Sequence, residues 1–418
     1  MSEPFTRALL FVKQGRYREA EYYLRQAIQN DPQDPQGFFF LATCLMRDPK
    51  YRSEALSMID EALRLCPDRA FYHAQRANIL VLLGRTKEAM GEVEQARSLA
   101  PDSPDSYVAE SVVMLVSGKP RDAERAARQA LALDAENEAA GDSLADALRL
   151  QGKLKESDAH IRGLLARNPE NPWSHSSAGM LALQRGAVPV AEGHFLAALR
   201  IDPEHSEARE GLLHAFRARS PFYSAYLKYS FAMERLGRAR RGLVVIGLLL
   251  LMQLANVTFV GRLAPIGFAL VAVYCLFVLW IWVAKGVGNL FLLFDRFARH
   301  ALRPGEKGEA IVVGGGVLFG LALFGAGLLL KQFSLIFLGL TFVGAVFPMS
   351  LVFTNRSKAG RIVFGLIGAL VYLGGLISFS LFFARGQSAG GFASSLFGWT
   401  MMLALITTWI GNISALRR

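Results

Sequence analysis

Small and apolar residues recur in the first half of the chain within units of 34 or 35 residues. One series consists of Ala27, Ala62, Ala96, Ala130 and Ala198, with Leu164 at the remaining position. A second series consists of Ala20, Ala55, Ala89, Ala123, Ser157 and Ala191. Prolines close most units at Pro32, Pro67, Pro101, Pro169 and Pro203. A fixed period of this length predicts stacked helical hairpins, which form an α-solenoid.

The second half of the chain has a different pattern, because long apolar runs replace the repeat after about residue 220. Six runs of 19 to 23 residues cover 242–260, 264–284, 310–330, 334–354, 362–384 and 393–411. Each run is long enough to cross a hydrocarbon layer of about 30 Å as a helix. None contains Asp, Glu, Lys, Arg or His within these limits. The chain is therefore predicted to be all-α, with a solenoid followed by a six-helix transmembrane bundle.

The segment KQGRYREAEYYLRQAIQNDP, residues 13–32, closely resembles the second half of a tetratricopeptide repeat (TPR). The resemblance extends over about six units and covers residues 1–220, with glycines at most hairpin turns. The second unit departs from the pattern, because its turn RDPKYRS has one extra residue and no glycine. We interpret this turn as a loop insertion that preserves the stacking. No known family is recognised in the apolar half.

The resemblance implies that the first helix of each hairpin lines a concave groove for an extended peptide or a partner helix. The residues placed on this groove are Phe5, Leu9, Val12, Phe39, Thr43, Met46, Asn78, Val81 and Val112. Its beginning is apolar, which favours a hydrophobic or amphipathic protein partner. Two alternatives remain open: these side chains serve only inter-repeat packing, or the chain fills its own groove.

Two segments connect the repeats to the apolar half. Residues 206–219 are predicted to be a capping helix, with Ala208 and Leu212 facing the last hairpin and Arg217 facing outward. Residues 221–241 are predicted to be an amphipathic linker helix at the membrane interface, because aromatic and basic residues alternate there. The interface residues are Tyr226, Lys228, Tyr229, Arg235, Arg238, Arg240 and Arg241.

Charge is distributed unevenly between the halves. Residues 1–220 hold 28 Lys and Arg against 31 Asp and Glu, whereas residues 221–418 hold 18 against 4. Of the cations between and beside the runs, fourteen fall on one predicted side of the membrane and three, Arg262, Lys331 and Arg385, on the other. The positive-inside rule then places both termini and the repeats in the cytoplasm of a bacterial-type inner membrane. Lipid explains the basic clusters better than nucleic acid does, since they flank apolar runs.

Two features of the apolar half predict local structure. Residues 286–303 have helical spacing of apolar side chains, which predicts a helix lying on the cytoplasmic surface. Small residues spaced four apart, Gly316 with Gly320 and Gly365 with Ala369, predict close contacts between helices. The three cysteines form no CxxC pair, and no metal site or cofactor is expected.

These patterns favour a membrane-anchored scaffold that recruits a protein partner, alone, as a homo-oligomer or within a larger membrane complex. The alternative is a transporter, channel or export-complex subunit with regulatory repeats. The absence of ionisable residues inside the runs weighs against an intramembrane protease and against a proton-coupled transporter. A clustered acid, base and metal among Asp295, His300, Glu306 and Glu309 would instead indicate catalysis in the cytoplasmic loops.

Overall fold

A computed structural model describes residues 3–236, 264–296, 298–355, 357–385 and 390–410. Every regular element in these ranges is helical. The chain divides into two compact units. Unit 1 contains Met1–Ala215 and Ser230–Gly242, and unit 2 contains Phe216–Tyr229 and Leu243–Arg418. The all-helical prediction is confirmed for the described residues.

Unit 1 begins with six antiparallel helical hairpins, α1 to α12. Their bounds are Glu3–Lys13, Tyr17–Asn30, Pro35–Leu45, Arg52–Leu65, Ala70–Leu82, Thr86–Leu99, Pro104–Val116, Pro120–Leu133, Glu138–Leu150, Leu154–Arg167, Pro172–Gln184 and Val188–Ile201. Several first helices begin where the sequence provides a cap. Asp34, Asn137 and Asn171 accept hydrogen bonds from backbone N–H groups of the first turn. These caps satisfy donors that a helix leaves unpaired at its N-terminus.

The hairpin turns depend on a left-handed residue. Gly15, Gly84, Gly118, Gly152 and Gly186 have φ between 71° and 81°. Glycine adopts this conformation without a steric cost, so only three residues are needed between the two helices of a hairpin. The second hairpin lacks such a glycine and uses a longer connection between Leu45 and Arg52. Its helices still pack against each other, and α3 packs against α2.

Small residues allow the repeat helices to approach closely. Ala20, Ala55, Ala89, Ala123 and Ala191 are all fully buried. Leu164 occupies an alanine position with a larger side chain, and Gly141 lies opposite it. A Cβ atom at residue 141 would lie 2.6 Å from Leu164 Cδ2. The missing methyl group at Gly141 therefore makes room for the larger Leu164.

The residues that follow the last hairpin of the solenoid contact the first two hairpins. Arg47 in the long turn of the second hairpin forms an ion pair with Asp202, which follows α12. Arg18 Nε lies 2.8 Å from Glu204 Oε1. The Arg47 guanidinium also lies over the Tyr17 ring, 3.9 Å from its centre. The inserted turn, in which the sequence departs from the repeat pattern, thus supplies a contact between distant repeats.

Two helices follow the hairpins, α13 over Ser206–Ala218 and α14 over Pro221–Arg235. Ala208 and Leu212 are buried, as the amphipathic pattern predicts. The outward placement of Arg217 is wrong, because only 3% of this residue is exposed. Its guanidinium lies between a buried amide, Asn289, and one carboxylate, Glu306, within unit 2, which a single-helix pattern does not reveal.

Unit 2 contains long apolar helices at Ala264–Phe294, Gly316–Leu329, Phe333–Thr354, Lys358–Arg385 and Gly390–Ile410. Pro304–Glu309 is a short α-helix, and Ala310–Gly315 forms a π-helical segment between it and Gly316. Four segments of the described residues are long and apolar enough to cross a membrane: Ala272–Phe294, Pro304–Leu329, Phe333–Thr354 and Lys358–Ala384. The predicted run 393–411 coincides with a shorter apolar helix, Gly391–Thr407. The run 242–260 lies outside the described residues, so the count of six remains a prediction.

A separate surface helix over residues 286–303 does not form as predicted. The helix that starts at Ala264 continues to Phe294, and only a short 3₁₀ turn, Ala298–His300, follows it. Gly286 and Gly288 do not interrupt the long helix because both face close neighbours. A Cβ atom at residue 286 would lie 2.7 Å from Val313 Cγ1, and one at residue 288 would lie 3.1 Å from Tyr223 Cδ2.

The apolar helices pack through glycines and hydroxyl groups. A Cβ atom at Gly320 would lie 2.8 Å from the Gly339 carbonyl oxygen, and one at Gly339 would lie 2.6 Å from that of Gly320. Gly316 and Gly365 have no such close neighbour, since the nearest atoms to a Cβ at either position are 4.0 Å away. Thr341 and Ser378 donate hydrogen bonds to carbonyl oxygens of their own helices at 2.8 Å. These buried hydroxyls are therefore satisfied locally.

Candidate binding groove and buried polar cluster

An open groove of about 560 Å³ crosses the first helices of the second to fifth hairpins in unit 1. We call it the aromatic groove. Its apolar lining comes from Phe39, Phe71, Ala74, Leu99 and Val108. The Phe39 and Phe71 rings meet edge to face with their centres 5.2 Å apart. Phe71 is 37% exposed, so this aromatic surface is open to a ligand.

Polar groups also line the aromatic groove, and they can orient a ligand that binds to its apolar surface. Asn78 lines the groove, and its Oδ1 atom is buried without a hydrogen-bond partner among the described residues. Gln75 also lines it and donates to Thr43 Oγ1 at 3.0 Å, which fixes the amide orientation. Asp68 and Asp105 carry negative charge at the lining, against the single positive charge of Arg69. A ligand with an apolar side chain and a hydrogen-bond donor matches this arrangement.

The predicted groove residues do not all lie at this opening. Phe39 and Asn78 line the aromatic groove, whereas Phe5 and Val81 are buried in the packing between helices. The remaining residues are half-buried, and most pack against the neighbouring core. These residues are Leu9, Val12, Thr43, Met46 and Val112. Packing between repeats therefore accounts for much of the apolar stripe.

Sequence reasoning did not assign the most exposed aromatic residue of the groove, Phe71. It precedes Gln75 and Asn78 on α5 by four and seven residues, which places all three on one helical face. That spacing could have identified Phe71 as a groove residue. The sequence, however, gives no reason to choose Phe71 over the adjacent Tyr72, which is buried at 2% exposure. The stacking of successive hairpins determines which of the two rings remains accessible.

A titratable group lies among the first helices of the last two hairpins. Asp142 accepts hydrogen bonds from Ser174 Oγ at 2.7 Å and Asn171 Nδ2 at 3.3 Å. Burial raises the pKa of Asp142 to about 7, and nearby Asp146 adds to the rise while the two hydrogen bonds oppose it. Its charge therefore changes near neutral pH, which makes the stability of unit 1 sensitive to pH.

Unit 2 contains a second candidate site, a set of charged and amide side chains of which three are buried and two are partly exposed. We call it the polar cluster, and it consists of Arg217, Lys285, Asn289, Glu306 and Glu309. Arg217 Nε donates to Asn289 Oδ1 at 2.7 Å, and Asn289 Nδ2 donates to Glu309 Oε2 at 3.0 Å. Lys285 Nζ lies 3.3 Å from the same Glu309 oxygen, and Arg217 Nη2 lies 3.6 Å from Glu306 Oε1. Two cations thus balance two carboxylates.

The polar cluster is enclosed by close helix packing. Arg217, Asn289 and Glu309 are no more than 3% exposed. The π-helical segment Ala310–Gly315 starts directly after Glu309, and a Cβ atom at Gly314 would overlap the Gly286 carbonyl oxygen. Tyr223 borders the cluster, and burial raises its pKa to about 12. Buried charges of this kind are stable only when they are paired.

The four residues proposed as an alternative catalytic set are all held by other partners. Asp295 pairs with Arg219 at 3.2 Å, and His300 accepts a hydrogen bond from Arg299 Nε at 3.2 Å. Glu306 and Glu309 belong to the polar cluster. Among the described residues, no group of three or more His, Cys, Asp or Glu side chains is arranged to hold a metal ion.

The predicted interface residues occupy several environments. Tyr226 and Tyr229 are half-buried, with ring centres 6.1 Å from that of Trp280, whereas Lys228 is exposed. Arg235 lies beside Gln184 in unit 1, where the amide oxygen accepts hydrogen bonds at 3.1 and 2.8 Å from Nε and Nη2. The remaining residues, Arg238, Arg240 and Arg241, lie outside the described ranges. The membrane location of this segment stays a prediction.

The N-terminal repeats match a family model described as tetratricopeptide repeat, at residues 5–70 and 143–206. The resemblance inferred from the repeat pattern is therefore confirmed for this part of the chain. The apolar half has no counterpart in that match. No curated protein matches the chain in sequence.

Solved TPR proteins resemble part of the chain. A thermophilic TPR protein of Thermus thermophilus is 21% identical, with a TM-score of 0.38, and the match covers 40% of this chain and 90% of that one. YrrB, a TPR protein with an unusual peptide-binding site, is 21% identical, with a TM-score of 0.28 and coverage of 45% and 96%. PilF of Pseudomonas aeruginosa is 20% identical, with a TM-score of 0.34 and coverage of 50% and 94%.

Proposed function

We propose that this chain is a membrane-anchored scaffold whose repeat unit recruits a protein partner through the aromatic groove. TPR repeats imply protein interaction, and the long apolar helices suggest association with a membrane. The observation that carries the proposal is the exposed Phe71 ring in the aromatic groove, which meets the Phe39 ring edge to face. An apolar side chain of a bound peptide would cover this ring.

The proposal also includes a location and an orientation. We place the repeats on the cytoplasmic face of a bacterial inner membrane, as the distribution of Lys and Arg indicates. Protease treatment of sealed vesicles tests this orientation. Cleavage of the repeats only in inside-out vesicles supports it, whereas cleavage only in right-side-out vesicles contradicts it.

Site-specific photo-crosslinking tests groove binding. A photoreactive amino acid replaces Phe71 in the full-length chain in its native membrane, with Lys87 on α6 as the control position. Lys87 is exposed and does not line the groove. We expect a discrete crosslinked protein from position 71 that is absent from position 87 and weakened by Asn78→Leu. Equal crosslinking at both positions, or none at position 71, would contradict the proposal.

The polar cluster favours a second candidate function, a transport or export subunit regulated by the repeats. Ionisable groups buried at the end of an apolar segment often mark pathways for ions or substrates, and π-helical segments occur frequently at functional sites. Ion flux through proteoliposomes that contain the purified chain tests this candidate. Flux abolished by Glu309→Gln would support it, and an impermeable protein would support the scaffold instead.

A further inference from the structure

Unit 1 has a second open depression, which shares no lining residue with the aromatic groove. It encloses about 680 Å³ and is lined by Arg121, Glu124, Arg125, Arg128, Gln129, Ala132, Gln151 and Lys153. These residues belong to α8 and to the turn between α9 and α10. We call it the arginine cleft.

The walls of the arginine cleft are held together by a buried carboxylate. Glu124 is 5% exposed and accepts hydrogen bonds from Lys153 Nζ at 2.9 Å and Gln151 Nε2 at 2.6 Å. Gln151 Nε2 also lies 3.1 Å from the Pro120 carbonyl oxygen. Burial opposes ionisation of Glu124, but Lys153, Gln151 and Arg128 keep its pKa below the usual value. The turn after α9 is therefore fixed against α8.

The lining carries four cations and one carboxylate. Lys153 and Arg128 both pair with Glu124, and Arg125 pairs with the partly exposed Asp122 at 3.2 Å. Arg121 forms no ion pair with any of the residues that the structure describes. This local positive charge lies in a region, residues 1–220, where acidic residues outnumber basic ones. It therefore does not follow from the overall composition.

The spacing of the arginines indicates the shape of the anion. Arg121, Arg125 and Arg128 are separated by four and three residues, so they lie on one face of α8. Their Cα atoms extend over about 10 Å along the helix at 1.5 Å per residue. A single phosphate needs guanidinium groups that converge on one point, whereas a row of this length matches carboxylates distributed along a peptide.

We propose that the arginine cleft binds an acidic segment of a protein partner. Charge complementarity orients the segment along α8, and the open cleft leaves the bound ion pairs partly exposed. The interaction is therefore sensitive to ionic strength. The proposal does not depend on the aromatic groove, so the chain has two contact surfaces of different chemistry.

Charge reversal in the full-length chain tests this proposal. The variant Arg121→Glu/Arg125→Glu is compared with Lys155→Glu/Arg162→Glu, which makes the same charge change on exposed positions of α10. Lys155 lies one repeat after Arg121, and neither control residue lines the cleft. The protein is held in nanodiscs of neutral lipid. The probe is a fluorescent peptide rich in glutamate, and its anisotropy measures binding at low and high salt.

We expect the peptide to bind the unmodified chain, with affinity reduced about tenfold in the cleft variant and little changed in the control. High salt should weaken binding to the unmodified chain. Equal loss in both variants, or no binding to the unmodified chain, would overturn the proposal. Vesicles of phosphatidylglycerol form the other arm. If the chain binds these vesicles, loses them in Arg121→Glu/Arg125→Glu and does not bind the peptide, the cleft is a lipid site. That result would overturn the proposal of a protein partner.

The two proposals fail independently. Photo-crosslinking at position 71 reports on the aromatic groove, and the acidic peptide reports on the arginine cleft. Circular dichroism of both charge-reversal variants shows whether the helices are retained. Loss of peptide binding with intact helical content and intact crosslinking at position 71 isolates the contribution of the arginine cleft.

Discussion

The two units place small residues and charges differently. In unit 1, small residues at fixed intervals form the helix contacts, and most ion pairs lie on the surface. In unit 2, glycines at irregular positions bring helix backbones together, and charged side chains are buried in the polar cluster. In unit 1, the contacts between helices can be predicted from the sequence because it is periodic. In unit 2, the contacts depend on which helices become neighbours.

The largest predicted difference concerns buried and surface ion pairs. We expect Glu309→Ala to destabilise unit 2 by about 4 kcal/mol, because it leaves Lys285 and Asn289 without their shared acceptor. Thermal unfolding in detergent, followed by circular dichroism, measures the effect. Glu3→Gln, which removes the exposed Arg7–Glu3 pair of unit 1, is the control and should leave the melting temperature nearly unchanged. Similar losses in both variants would remove the contrast between the units.

The next prediction concerns backbone contact between apolar helices. We expect Gly320→Val to cost about 3 kcal/mol, because its side chain would meet the Gly339 backbone, which cannot move aside as a flexible side chain can. Gly325→Val on the same helix is the matched control, since its Cβ atom would meet nothing within 4 Å. Protease resistance of the detergent-solubilised protein reports the change. A control variant as unstable as Gly320→Val would show that valine itself, rather than the contact, is responsible.

A double substitution in unit 1 tests whether Leu164 and Gly141 compensate for each other. We expect Gly141→Ala to cost about 2 kcal/mol, because the new methyl group would overlap the Leu164 side chain. Leu164→Ala alone should cost about 2–3 kcal/mol through the cavity it leaves. The double variant should be more stable than the sum of the two losses, as chemical denaturation would show. Additive losses would mean that the two positions are independent.

The pH dependence of unit 1 follows from Asp142. Its pKa of about 7 in the folded protein exceeds the value of 3.8 for an ordinary aspartate. The folded state therefore binds the proton more tightly, so this contribution to stability is present at acidic pH and is lost as the pH rises through about 7. We expect Asp142→Asn to raise the melting temperature by a few °C at pH 8 relative to the unmodified chain, and by less at pH 5. A shift of equal size at both pH values would exclude the titration as its cause.

The smallest predicted effect concerns the contact between the ends of the solenoid. Arg47→Ala removes the pair with Asp202 and the contact with the Tyr17 ring, and we expect a loss of about 1 kcal/mol. Spin labels on the first and last hairpins should also show a longer mean distance. Arg162→Ala, which breaks a pair within one helix, should leave that distance unchanged. An unchanged distance in Arg47→Ala would show that stacking alone holds the ends together.

The hairpins and most apolar helices could be predicted because their signals are local. Turn glycines such as Gly15 and Gly84, together with the alanine series, specify the helix ends and the buried faces. The prediction of a separate surface helix at 286–303 was wrong because the outcome depends on contacts with distant segments. The helical spacing of apolar side chains predicted a helix here, but neighbouring segments pack against Gly286 and Gly288, and the preceding helix continues through them to Phe294.

The candidate sites were less predictable than the fold. Phe39 and Asn78 of the aromatic groove were identified from their repeat positions, whereas Phe71 was not, because Phe71 and Tyr72 are indistinguishable until neighbouring hairpins cover one of them. The prediction that Arg217 faces outward failed for a similar reason. The helix of Arg217 alone makes it an exposed cation, but Asn289 and Glu306, more than 70 positions away in the chain, supply its hydrogen-bond and ion-pair partners.

The amino-acid sequence by itself determined the hairpin period, the turn positions and the separation into a repeat half and an apolar half. These properties depend on side-chain spacing within about 35 residues. Only the tertiary structure decided which aromatic ring stays open, which turn meets the end of the solenoid and where buried charges are neutralised. Those outcomes depend on side chains from distant segments, because burial makes a charge or an unpaired polar atom costly until another element supplies its partner.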